Sequence, residues 1–168
     1  MFNWWPKRTE LKLRATRVYD EVVTAARDPA FYRDMGVPDT FEGRYEMIVA
    51  HLVLVLERLK AEGDETAEQA RALIEHFITD MDDCMREIGV GDLTVPKKVR
   101  KAAAGLYERA EAYRAALAQD GDEALAAAVQ EAVHRGGAPT DASRLIAARL
   151  RARAATLRQK TIADVLAL

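Results

Sequence analysis

The residue types that could do chemistry in this 168-residue chain are few and scattered. His51 lies inside an apolar run and His76 stands beside Phe77. Histidines on facing helices can hold a haem or a metal ion. The competing reading, a core histidine bonded to a neighbour, suits their apolar settings better. Glu131-Ala132-Val133-His134 is one copy of Glu-x-x-His, whereas a di-iron bundle needs two copies and two further glutamates. Cys84 is the single cysteine, which excludes an internal disulfide and a Cys-rich zinc site. No c-type haem attachment motif, Gly-rich phosphate loop or nucleophile motif is present. Asp80, Asp82 and Asp83 are too close along one helix to flank a substrate, and read as a solvated face. The residues therefore point to binding, not turnover, with no cofactor and no metal.

The stretch most specified for a task is 80–100, DMDDCMREIGVGDLTVPKKVR. Gly89 and Gly91 stop a helix there. Leu93, Val95 and Pro96 form a short apolar connector, and Pro96 suits a first helical turn. Lys97, Lys98, Arg100 and Lys101 then open the next helix with positive charge, although the dipole at that end favours anions. A local rule broken in this way points to function or to an acidic partner. Two explanations stay open. The lysines pair with Asp80, Asp82 or Asp83 across the loop, or they engage an acidic or carbonyl-rich segment of another protein. The candidate partner-binding set is Asp80, Asp83, Arg86, Leu93, Val95, Lys97, Lys98 and Lys101.

The elements that must position this stretch are helices. Apolar residues recur at helical spacing over 9–27, 41–61, 65–88, 96–118 and 122–135. A last long helix runs from Thr140 or Asp141 to about 166. A short helical turn lies near 30–35. The segment 41–61 is apolar nearly all round, which makes it the central helix of the bundle. The short Glu62-Gly63-Asp64 turn makes the 65–88 helix antiparallel to it. Gly136-Gly137-Ala138-Pro139 is the clearest break in the chain. The expected fold is all-α, one globular bundle of about six helices. Residues 1–8 form an aromatic and basic segment and residues 9–168 a single domain.

Composition agrees: the chain is 49% hydrophobic and 31% charged, as a globular domain is. The longest apolar stretch, 47–56, is interrupted by His51 and is about half of the roughly 20 residues a spanning helix needs. The net charge of −2 hides an asymmetry. Residues 42–92 carry thirteen acidic and five basic residues, and residues 93–168 carry thirteen basic and eight acidic. Either the halves pack against each other or the basic half serves a partner. Arg144, Arg149, Arg151, Arg153, Arg158 and Lys160 share one helix, which leaves RNA binding as a rival reading. That helix lacks aromatics for base stacking, so nucleic acid is not the expected partner. Phe2, Trp4 and Trp5, followed by Lys7 and Arg8, are a candidate membrane tether. The alternative is that they fold back onto the bundle.

The order and spacing of Asp39-Thr40-Phe41 after Pro38, His51, His76-Phe77, Met85-Arg86-Glu87-Ile88-Gly89-Val90-Gly91 and Val95-Pro96-Lys97-Lys98 resemble the ubiquinol–cytochrome c chaperone family. The likeness runs from about residue 19 to about 133 and weakens in the last helix. It implies a non-enzymatic assembly factor of the cytochrome bc1 complex. The implied partner is cytochrome b or a bc1 assembly intermediate, with a second small chaperone subunit and a peripheral membrane contact as further candidates. The N-terminus resembles no transit or signal peptide, so a bacterial-type member at the cytoplasmic membrane face is expected. The rival classes are an RNA- or ribosome-associated factor and a haem- or metal-binding bundle using His51 and His76.

Overall fold

The computed structural model describes residues 4–167, with side chains from Arg8 onward. Among these residues the chain is all-α. Six helices are long: α1 (Trp4–Ala26), α3 (Phe41–Glu62), α4 (Ala67–Glu87), α5 (Val95–Leu117), α6 (Glu123–His134) and α7 (Asp141–Gln159). Two are short: α2 (Pro29–Arg33) and α8 (Ile162–Leu166).

Helix α3 is the axis of the bundle. Residues 47–55 are buried without interruption, and α3 packs against α1, α4, α5, α6, α7 and α8. Its start is fixed locally. The Thr40 side chain accepts from the Gly43 N–H at 3.2 Å, filling the N-cap. Gly43 is required there, because a Cβ would lie 1.9 Å from the Pro38 carbonyl oxygen. Gly63, at φ 98°, ends the helix and sends α4 back alongside it. Thr66 locks that corner by donating its hydroxyl to the Leu59 carbonyl at 2.5 Å.

Helix α1 runs parallel to α4. Leu11 and Leu73 line one small cavity near their starts. Further along, Tyr19 donates its hydroxyl to Asp80 at 2.7 Å. The start of α1 therefore sits at one end of the bundle, and its last turn at the other, beside the α4–α5 loop. Helix α5 runs back along α3. Tyr45 donates to the Ala102 carbonyl at 2.8 Å, Arg109 forks onto Glu46, and Arg114 pairs with Glu57 at 2.7 Å.

The sixth expected helix is broken near its end. Lys160 has an extended backbone, ψ 144°, so α7 stops at Gln159. The Thr161 side chain then caps α8 through the Asp164 N–H at 3.1 Å. Arg58 of α3 donates to two carbonyls at the break, Leu157 at 3.1 Å, which also accepts from the Lys160 N–H at 3.3 Å, and Lys160 at 3.1 Å. The pattern of apolar residues runs on through this break, and periodicity alone could not reveal it.

Candidate functional site

The α4–α5 junction is built as a stapled loop. Gly89 takes φ 81°, and the Val90 N–H reaches back to the Met85 carbonyl at 3.0 Å, closing α4. The Gly91 carbonyl accepts from the Thr94 N–H at 2.7 Å and from the Val95 N–H at 3.2 Å. Val95 is fully buried and anchors the first turn of α5. Between these anchors the chain turns Leu93 outward, 99% exposed, and Ile88 stands 60% exposed.

Charge at the junction is divided by pairing. Arg86 holds Asp82 at 2.6 Å and Asp92 at 2.6 Å, tying the end of α4 to the loop. Asp80 is taken by Tyr19. Lys97, Lys98, Arg100 and Lys101 are exposed and enter none of the ion pairs among the described residues. The first turn of α5 has no acidic residue and no side-chain cap. The pairing of these lysines with Asp80, Asp82 or Asp83 is thus not the arrangement adopted; Arg86 carries the loop's ion pairs.

The eight candidate partner-binding residues divide accordingly. Asp83, Leu93, Lys97, Lys98 and Lys101 face solvent at one end of the bundle. Asp80 and Arg86 hold the scaffold, and Val95 belongs to the core. Ile88, not singled out by sequence reasoning, joins the exposed group; its place directly before the helix-ending Gly89 was the available signal. Of the candidate membrane tether, Phe2 lies outside the described residues, as do the side chains of Trp4 and Trp5. The α1 backbone places its first turn away from the α4–α5 loop by roughly 30 Å of helix.

The histidines are not brought to a common point. His51 is buried, donates from Nδ1 to the Met47 carbonyl at 2.9 Å, and packs edge-on against Phe31 at 5.5 Å. A carbonyl can only accept, so the proton sits on Nδ1. Burial pushes its pKa down to about 4. His76 instead packs edge-on against Tyr19 at 5.0 Å. His134 is partly buried, with Nε2 lacking a partner, and burial lowers its pKa. Among the described residues no group of three or more His, Cys, Asp and Glu is placed to hold a metal ion.

Half of the α7 basic set is used internally. Arg144 pairs with Glu123 and Asp141, and Arg149 with Asp28 while lying over Phe31. Arg151 pairs with Asp122 and donates to the Ala116, Leu117 and Gly121 carbonyls. Glu46–Arg109 and Glu57–Arg114 join the acidic centre to the basic half. The basic half is therefore partly stapling, and four of its cations outside these ion pairs, Lys97, Lys98, Arg100 and Lys101, stand together at the start of α5.

The family model described as ubiquinol-cytochrome C chaperone matches residues 33–167. The chain belongs to this family. The match reaches through α7 and α8, the region where the likeness read from sequence is weakest. The chain is 28% identical over 109 residues to the ubiquinol-cytochrome c reductase complex assembly factor 1 of Drosophila melanogaster, covering 62% of this chain and 41% of that one. The protein of the same name from Mus musculus is 25% identical over 120 residues, covering 71% of this chain and 40% of that one. The chain thus spans about two fifths of the length of these relatives. The crystal structure of the Cbp3 homolog from Brucella abortus superposes with a TM-score of 0.85 at 34% identity, over 98% of this chain and 91% of that one. No helix among the described residues is long and apolar enough to cross a membrane.

Proposed function

We propose that this chain is a non-enzymatic assembly factor of the cytochrome bc1 complex that binds newly made cytochrome b at the cytoplasmic membrane face. Membership of the chaperone family across residues 33–167 carries this reading. The working surface is the α4–α5 junction, where Asp83, Leu93, Lys97, Lys98 and Lys101 are offered to a partner. The mechanism is capture: a preformed, stapled loop holds an extramembrane segment of the subunit and shields it until the next subunit arrives. A second small chaperone subunit is a further partner of the same reading. A loose tether through Phe2, Trp4 and Trp5 is the rival route to the bilayer.

The test is affinity capture of the full chain from a bc1-producing host, in detergent, with the bound proteins identified. Newly made cytochrome b, or an intermediate containing it, is the expected catch. Capture devoid of bc1 subunits, together with normal bc1 levels after deletion of the gene, would refute the assignment.

A further inference from the structure

The junction carries one feature that gripping a protein segment does not require: a large aliphatic side chain at the apex of a loop, 99% exposed, held there by its neighbours. Leu93 is not a side chain awaiting a place in the core. Val95, two residues on, fills the core position, and Asp92 is fixed by Arg86. Thr94 is bonded back to Gly91. The loop thus presents Leu93 as a protrusion, and Ile88 adds a second exposed aliphatic at the same end.

The surrounding charge is one-sided along α5. Residues 93–107 contain no acid and four cations, Lys97, Lys98, Arg100 and Lys101. None of the four is ion-paired among the described residues. Arg27, just past α1, adds another exposed cation at this end, close enough to α4 to act electrostatically on Cys84. Of the exposed carboxylates, Asp83 and Glu87 lie on α4, across the loop from the lysines, and Asp92, beside Leu93, is paired with Arg86. A protruding aliphatic beside uncompensated lysines matches an anionic bilayer surface. Its headgroup layer accepts the cations, and its acyl boundary accepts the apolar tip.

We propose that Leu93 and Ile88, with Lys97, Lys98, Arg100 and Lys101, dock the bundle by its α4–α5 end onto an anionic lipid surface. This deepens the membrane-face part of the proposed function and is independent of which subunit is captured. It also sets the orientation. Since α1 runs parallel to α4, the docked protein points its α4–α5 end at the bilayer and holds the first turn of α1 away from it. The arrangement brings the capturing junction to where the extramembrane segments of a membrane-embedded subunit emerge.

Co-sedimentation of the full chain with client-free vesicles tests this, using phosphatidylcholine alone or with added phosphatidylglycerol. The chain should sediment with the anionic vesicles and not with the neutral ones, and high salt should release it. Leu93→Asp should weaken the partition by at least about tenfold. Lys97→Ala, Lys98→Ala and Lys101→Ala together should weaken it at least as much and flatten its salt dependence, at roughly fivefold per lysine. Melting temperatures should not fall below the wild-type value, since Leu93 is exposed and the lysines enter no ion pair among the described residues. Trp4→Ala with Trp5→Ala, measured alongside, should leave most of the binding. The proposal is overturned if the wild-type chain ignores anionic vesicles at low salt. Wild-type partition of the Leu93 and lysine variants overturns it too, as does loss of binding in the tryptophan variant alone. Because no client is present, none of these results depends on capture of cytochrome b.

Discussion

The Tyr19 hydroxyl donates to the Asp80 carboxylate at 2.7 Å across the seam between α1 and α4, sixty-one residues apart in sequence. Tyr19 is buried, and burial with the Asp80 bond raises its pKa, so the phenol stays protonated and donating. The pair fixes the register of two parallel helices and takes Asp80 out of the charge exchange at the loop. Tyr19→Phe should cost about 1–3 kcal/mol, because a part-buried carboxylate loses its donor. Asp80→Ala should cost a similar amount, and the double variant less than the sum. Urea melts of the four proteins check this. Additive losses would mean that the bond contributes nothing of its own.

The seam illustrates what the sequence could and could not tell. Periodicity located every long helix and the central place of α3, because its uninterrupted apolar run has only one stable location. It also gave the antiparallel α3–α4 corner at Gly63. It could not assign partners to charges. Asp80, Asp82 and the lysines were equally available to one another on paper. Only the packing of α1 beside α4 commits Asp80 to Tyr19 and leaves Arg86 to gather Asp82 and Asp92. Val95 and Leu93 show the same limit. They are two apolar residues two positions apart, and the fold buries one completely and exposes the other. The end of α7 at Gln159 was hidden because the capping Thr161 and the Arg58 that stabilises the break lie 103 residues apart in the numbering.

Leu52 is fully buried at the middle of α3. Leu52→Ala should destabilise by about 2–5 kcal/mol through the lost transfer energy and the cavity left behind. Denaturant melts at neutral pH measure it. A loss well under about 1 kcal/mol would contradict the central position of α3.

His51 makes stability depend on pH. Its folded pKa, about 4, lies below the ordinary 6.5. Burial is the main cause, partly offset by the Met47 carbonyl bond, with Arg153 lowering it further. Between those values the unfolded chain binds more protons than the folded one, so stability falls as pH drops from about 6.5 towards 4. The share lost by pH 5 should be about 2 kcal/mol. His51→Gln removes the titrating group, so its stability should fall less than the wild type between pH 7 and pH 5. Identical slopes for the two proteins would show that His51 titrates normally in the fold.

Arg58 is the staple of the C-terminal end. Its side chain is 12% exposed and bonds Glu62 and the Leu157 and Lys160 carbonyls. Arg58→Ala should cost about 1–3 kcal/mol, because the Lys160 carbonyl loses its side-chain donor and the Leu157 carbonyl keeps only the Lys160 N–H. Amide exchange of α8 should quicken more than that of α4. Arg58→Lys should rescue little, since an ammonium cannot reproduce the planar fork. Equal protection of α8 in all three proteins would show that α8 is held by Val165 packing alone.

The lysines that open α5 give the sharpest test of the proposed working surface. Cations at a helix N-terminus cost up to about 1 kcal/mol each in unfavourable dipole interaction. The fold offers no offsetting partner, because Asp80 and Asp82 are bonded elsewhere and none of the three lysines enters an ion pair among the described residues. Lys97→Glu with Lys98→Glu should therefore leave stability unchanged or raise it slightly, since the new charges suit the dipole. Adding Asp80→Lys and Asp83→Lys should lower stability, because Tyr19 then loses its acceptor. Capture of cytochrome b by the double variant should fall both from native membranes and in detergent if the junction grips the subunit itself. A fall from membranes alone would leave the junction a lipid contact and move the capturing surface elsewhere on the bundle. A stable double variant that captures its client at the wild-type level in both media would remove the α4–α5 junction from the working surface altogether.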